Sequence, residues 1–132
     1  MDEQLRALIR RRADNQCEYC RLPQDAAPFP VFHIEHICSK KHGGDDQAQN
    51  LCLACNHCNL HKSSNLSGKD PLTGELTRLF NPRTDSWTEH FSLDGATIIG
   101  RTAVGRTTVR VLNMNDLDRL ELRTLALDQG LL

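Results

Sequence analysis

Two Cys-x-x-Cys pairs enclose an adjacent acid and histidine. The pairs are Cys17/Cys20 and Cys55/Cys58, and the acid and histidine are Glu35 and His36. A two-residue gap lets both sulfurs of a tight turn face one ion, and four thiolates at about 2.3 Å form the tetrahedral environment that zinc prefers. Because sulfur would fill every position and leave none for water, we expect a structural zinc. We therefore expect the chemistry at Glu35-His36.

The cysteine pattern also allows a different second pair, because Cys52 and Cys55 have the same spacing. The two residues between Cys52 and Cys55 are apolar and favour a strand, whereas the two between Cys55 and Cys58 favour a tight turn. We therefore assign Cys55/Cys58 to the metal, and interpret Cys52 and Cys38 as small buried hydrophobic residues.

The elements that must position these groups are short. The patterns predict, in order, a helix over residues 3–13, a strand over Val31–Ile37, a polar glycine-bearing loop, a strand over Leu51–Ala54, and a helix carrying Asn59 and Lys62. Strand alternation places Glu35 and His36 on opposite faces. A local bend would therefore be needed for both side chains to reach one phosphate.

The second half of the chain predicts a connector, a hairpin and two helices. Residues 63–81 are rich in Ser, Gly and Pro and predict an irregular connector. Asp94-Gly95 lies between two strand-like runs and predicts a hairpin. The helices are expected to be capped by Thr102 and by Asn115 or Asp116, and to end near Leu112 and Asp128. The predicted fold class is α+β.

Composition and charge limit the function classes. A chain of 132 residues fits one domain, and a zinc site would contribute much of its stability. The sequence shows no N-terminal apolar leader and no apolar run of about 18 residues, so we expect a reduced, cytoplasmic protein without a membrane partner. Its net charge is −1, so any nucleic-acid contact depends on local basic clusters. These clusters are Arg10-Arg11-Arg12, Lys40-Lys41, Lys62, and the set Arg101, Arg106 and Arg110.

In combination, these residues resemble the HNH endonuclease family, in the branch of ββα-metal (His-Me finger) nucleases that carries a four-cysteine zinc site. The resemblance runs from Cys17 to Lys62 and rests on the two cysteine pairs, Glu35-His36, Gly43-Gly44, Asn50-Leu51, Asn59 and Lys62. It implies a zinc-stabilised ββα-metal core over residues 1–62, with a helical N-terminus. Residues 63–132 would form a C-terminal extension of a hairpin plus helices, packed on the core as one structural domain.

The resemblance also implies roles in the metal-dependent hydrolysis of DNA, by nicking or by double-strand cutting. His36 would be the general base, and Asn50 would hold the loop and orient His36. Glu35 and Asn59 would ligate one catalytic Mg²⁺ or Mn²⁺ ion through hard oxygen donors. Lys62, one turn from Asn59, is expected to contact phosphate, and His42 is either a second phosphate contact or an exposed loop residue.

A second class of function competes with this interpretation, namely a catalytically inactive zinc module that binds nucleic acid. Such a module would have no need for the set Glu35, His36, Asn50 and Asn59, which favours the nuclease. The oligomeric state and the preferred cleavage site are left open by the sequence.

Overall fold

The protein is a mixed α/β chain, as predicted. In the computed structural model, which describes residues 1–27 and 30–132, three antiparallel strand pairs alternate with helices. The helices are α1 (Glu3–Arg12), α2 (Asn56–Lys62), α3 (Trp87–His90), α4 (Ala103–Val111) and α5 (Leu117–Asp128). The strands are β1 (His33–His36), β2 (Leu51–Ala54), β3 (Ser67–Lys69), β4 (Leu76–Arg78), β5 (Phe91–Asp94) and β6 (Thr97–Gly100).

Helix α1 begins at a side-chain cap and is fastened to the first strand pair. The Asp2 carboxylate accepts a hydrogen bond from the backbone N–H of Leu5 at 2.8 Å, which satisfies one free donor of the first turn. The apolar face buries Ile9. Arg10 and Arg12 donate to the backbone carbonyls of Phe32 and Leu51, so two members of the arginine run tie α1 to the segments around β1 and β2.

Strands β1 and β2 pair antiparallel, and α2 follows β2 directly. Strand β1 is shorter than the predicted Val31–Ile37, whereas β2 matches its prediction. The register places Glu35 opposite Cys52 and His36 opposite Leu51. Cys55 caps α2 by accepting from the N–H of Cys58. The order strand, loop, strand, helix agrees with the sequence pattern.

The prediction of an irregular connector over residues 63–81 is wrong, because strands β3 and β4 form a hairpin there. Asp70 organises its turn by accepting hydrogen bonds from the N–H of Leu72 and the hydroxyl of Thr73. The same carboxylate receives two hydrogen bonds from the guanidinium of Arg106 in α4. The hairpin is therefore supported by a distant partner that a local pattern does not reveal.

The second hairpin and the last two helices agree with the predictions, whereas the short helix α3 was not predicted. Strands β5 and β6 pair around Asp94-Gly95, and Gly95 has a φ of +57°, which glycine adopts without steric cost. Thr102 caps α4 by accepting from the N–H of Gly105, and Asp116 caps α5 by accepting from that of Leu117.

Long-range contacts link the two halves of the chain around one core. The indole N–H of Trp87 donates to the carbonyl of Tyr19 at 2.8 Å, and Arg83 forms an ion pair with Glu18. The ring of Phe80 lies edge-on to that of Tyr19. No helix in the described part of the chain has the length and apolar character needed to cross a membrane.

Candidate metal centre and active site

Four buried cysteines form a cluster that fits a zinc ion. The Sγ atoms of Cys17, Cys20, Cys55 and Cys58 all lie within 4.8 Å of one another. Four sulfur donors at the corners of a compact group match the ligand set of a closed structural zinc site. Cys52 lies outside the cluster and faces Tyr19 and Glu35, so the structure groups Cys55 and Cys58, rather than Cys52, with the first pair.

Each cysteine pair is a tight turn with an N–H···S hydrogen bond. The N–H of Cys20 donates to Cys17, and the N–H of Cys58 donates to Cys55, at 3.5 and 3.4 Å. The first turn follows α1, and the second joins β2 to α2. An ion held by both turns would fasten the N-terminal helix to the strand-helix unit. Arg119 from α5 also points at Cys55, with Nη1 3.8 Å from its sulfur.

One open pocket brings together three of the predicted site residues. Glu35, His36 and Asn59 line it, together with Ser39 and Leu60. His36 is at the end of β1, and Asn59 is in the middle of α2. The strand end and the helix therefore place these three residues around the same space.

Glu35 is at the buried side of this pocket. Its side chain is only 6 % exposed, and its Oε1 lies 3.7 Å from the ammonium of Lys62. Oε1 accepts no hydrogen bond from the described residues, and burial raises the pKa of Glu35 to about 7 against the opposing attraction of Lys62. A buried carboxylate oxygen without a donor has free capacity for a cation.

Lys62 does not have the position expected for a phosphate contact. Its side chain is 2 % exposed, and Nζ donates to the carbonyl of Ile37 at 2.9 Å. The i, i+3 spacing places Lys62 on the same side of α2 as Asn59. The ammonium is nevertheless buried, and it is bonded to Ile37, the residue that follows β1. The predicted phosphate contact is corrected accordingly, and Lys62 is assigned to a buried pair with Glu35.

His36 has a partner that the sequence analysis missed. Its Nε2 lies 2.7 Å from Oδ1 of Asp46, and the other oxygen of Asp46 lies 3.3 Å from the ammonium of Lys40. Hydrogen bonds from His36 and from Lys40 lower the pKa of Asp46 below its usual range. The only local signal was an acidic pair, Asp45-Asp46, in the loop before Asn50.

Asn50 holds the loop between β1 and β2 but forms no hydrogen bond with the imidazole of His36. Its side chain accepts from the N–H of Cys38 and donates to the carbonyls of Cys38 and Asp45, each at 2.8–2.9 Å. Gly44 packs directly against the Cys38 backbone that Asn50 holds, since a Cβ at Gly44 would lie 1.7 Å from the carbonyl oxygen of Cys38. The geometry therefore agrees with the loop-holding part of the predicted role.

Of the other predicted contact residues, some are exposed at the surface and some bond groups within the protein. His42 is exposed in the loop, which suits either of its two interpretations. Arg106 is committed to Asp70, and Arg101 donates to the carbonyl of Thr88. Lys40 and Lys41 are exposed beside the candidate active site. Most of the basic clusters thus contribute contacts within the protein.

The family resemblance is confirmed by comparison with known proteins. Residues 17–65 match the model of the HNH endonuclease family. The chain is also 29 % identical over 112 residues to the Septu protein PtuB of Bacillus thuringiensis. That match covers 82 % of this chain and 40 % of the relative, so the chain spans well under half the length of that protein. No solved structure gives a significant match.

Proposed function

We propose that the protein is a metal-dependent HNH endonuclease that hydrolyses phosphodiester bonds of DNA. The observation that carries this proposal is the shared pocket of Glu35, His36 and Asn59, which lies within the segment that matches the family. A carboxylate, an imidazole and an amide in one open pocket are the groups needed to bind a divalent cation next to a general base.

Glu35 and Asn59 would hold the catalytic Mg²⁺ or Mn²⁺ ion. The fit rests on the hard oxygen donors of both side chains and on the buried Oε1 of Glu35, which accepts no hydrogen bond from the described residues. When bound, the ion supplies charge stabilisation for the phosphoryl group and the departing oxygen. Strands β1 and β2 and helix α2 would be the ββα-metal core that holds the two ligands.

His36 would act as the general base. Its side chain is 27 % exposed, so water and a phosphate group can reach it. A neutral imidazole takes the proton of the attacking water, whose oxygen forms the new bond to phosphorus. The bond to the 3′ oxygen breaks, which leaves a 5′ phosphate and a 3′ hydroxyl. Zinc at the four cysteines has no open position and would serve the fold alone.

The test is cleavage of supercoiled plasmid by the purified chain with added Mg²⁺ or Mn²⁺. We expect His36→Ala to lower the cleavage rate by about 10²–10⁴-fold, the usual contribution of a general base, with unchanged zinc content and circular dichroism. His33→Ala is the matched control, because His33 is on the same strand and its Nε2 contacts Asn56 instead. Equal cleavage by His36→Ala and the native protein would contradict the mechanism.

A second arm separates the two metals. Brief, mild chelation should stop cleavage without unfolding the protein, because an ion held by two oxygen ligands leaves more readily than zinc in a four-thiolate site. Asn59→Ala should behave like the chelated protein, folded and zinc-loaded but poorly active. Cleavage that continues with zinc as the sole metal would contradict this division of roles.

A further inference from the structure

We infer that Asp46 is a positioning residue, which holds the imidazole of His36 in one tautomer and one orientation. This inference rests on the proposed function of the same site. A carboxylate only accepts hydrogen bonds, so the 2.7 Å contact between Oδ1 of Asp46 and Nε2 of His36 places the imidazole proton on Nε2. Nδ1 then carries the free lone pair and is the atom that takes the proton of the attacking water.

The two oxygens of Asp46 have separate partners. Oδ1 faces His36, and Oδ2 lies 3.3 Å from Nζ of Lys40. The contact with Lys40 limits rotation of the Asp46 carboxylate, so Oδ1 remains directed at Nε2 of His36. After proton transfer, the same carboxylate lies beside the imidazolium that has formed and stabilises its positive charge.

The backbone that carries Asp46 is held in place by Asn50. The amide of Asn50 donates to the carbonyl of Asp45, one residue before Asp46, and also bonds both backbone groups of Cys38. The two bonds to Cys38 join the ends of the loop, and the third fixes Asp45 between them. Asn50 therefore acts on His36 indirectly, through the position of Asp46, although it forms no hydrogen bond with the imidazole.

The same geometry explains why the acidic pair in this loop is asymmetric. The carboxylate of Asp45 accepts from the backbone N–H of Gln47 at 3.1 Å and closes a local turn. The carboxylate of Asp46 instead crosses to β1. The two neighbours thus carry equal charge but have different partners, which provides a matched control.

The first experiment is ¹⁵N-¹H correlation NMR of the imidazoles in the zinc-loaded protein without added divalent cation, with His36 assigned by its loss in His36→Ala. We expect the native protein to show the Nε2–H tautomer and Asp46→Ala to show a mixture of tautomers. Asp45→Ala should keep the native pattern. A native spectrum with the proton on Nδ1, or no change in Asp46→Ala, would overturn the role of Asp46.

The second experiment is single-turnover cleavage of plasmid over a range of protein concentrations. Asp46→Ala should lower the maximal rate by about 10-fold or more, which is a smaller loss than that expected for His36→Ala. The half-saturating protein concentration should remain nearly unchanged. Asp45→Ala should retain the native rate, and an equal loss in both variants would overturn the inference. Failure of the native protein to cleave DNA would instead refute the proposed function, while the NMR result still decides the tautomer.

Discussion

At the scale of single residues, Lys62 links the candidate active site to the core. Its ammonium lies between the carbonyl of Ile37 and the carboxylate of Glu35, and both charged side chains are almost fully buried. Such a pair recovers by mutual attraction part of the free energy lost when two charges leave water. Removal of one partner leaves the other with that loss uncompensated.

We expect Lys62→Met to destabilise the protein by up to about 3 kcal/mol, at the low end for a broken buried pair. The low end applies because the pKa of Glu35, about 7, lets this carboxyl group take up a proton when its partner is lost. Urea unfolding measures the change. The control is Lys40→Met, at an exposed lysine, which should change the stability little. A Lys62→Met protein with native stability and weaker DNA binding would restore the predicted phosphate contact.

At the scale of elements, the loop between β1 and β2 sets the position of the groups around His36. Gly43 has a φ of +87°. At Gly44, the backbone of Cys38 occupies the space that a side chain would need. The two glycines are therefore required for different reasons. The first permits a left-handed turn, and the second permits close approach of two parts of the loop.

We expect Gly44→Ala to cost more than about 3 kcal/mol and to abolish plasmid cleavage, because the new methyl group displaces the Cys38 segment from Asn50. Gly43→Ala has open space and should cost about 1–2 kcal/mol, the penalty of a left-handed backbone. Thermal unfolding and cleavage assays of both variants measure the difference. Similar losses in the two variants would show that the loop adapts freely.

The β3–β4 hairpin provides a pH-dependent prediction. The Asp70 side chain is fully buried, and hydrogen bonds from Arg106 hold its pKa well below the usual range. A lowered carboxyl pKa adds stability above the unfolded-state value of about 4, and this stability is lost as the pH falls through the folded-state value.

We therefore expect Asp70→Asn to lower the melting temperature at pH 7, and the difference from the native protein to shrink below about pH 4. Melting curves from pH 3 to pH 7 measure the effect. Asp94→Asn, at the exposed turn of the other hairpin, should leave the melting temperature near the native value. A difference that stays constant over this pH range would exclude the ion pair as its cause.

At the scale of the whole molecule, the four-cysteine cluster joins segments that are distant in the chain. One pair of candidate ligands follows α1, and the other lies at the junction of β2 and α2, beside the candidate active site. A small domain buries a limited area of apolar surface, so a metal that binds only the folded state contributes strongly to its stability.

We expect Cys17→Ser and Cys58→Ser to lose zinc and to melt at a much lower temperature or to be insoluble. Structural zinc in small domains contributes on the order of 10 kcal/mol to folding. The comparison is Cys52→Ser, a buried cysteine outside the cluster, which should keep full zinc content and lose little stability. Zinc content and melting curves give the result, and a zinc-loaded Cys17→Ser protein would contradict the assignment.

Much of this protein is determined by local sequence. The spacing of Cys55 and Cys58, the Asp94-Gly95 turn and the Thr102 cap each act over a few residues, so their structures could be predicted without knowledge of the rest of the chain. The family resemblance likewise depends on residue types in order along the chain. These signals supplied the two cysteine pairs, most helices and strands, and the residues of the candidate site.

Only the tertiary structure decided which of the remaining side chains meet. Arg106 is 36 residues from Asp70, so no local pattern reveals that it supports the β3–β4 hairpin. Lys62 donates to a carbonyl 25 residues away, so no local pattern reveals its burial either. Asp46 reaches His36 because Asn50 and Gly44 fold the loop back onto β1. Such contacts depend on the path of the backbone and on burial, and these arise when distant segments pack together.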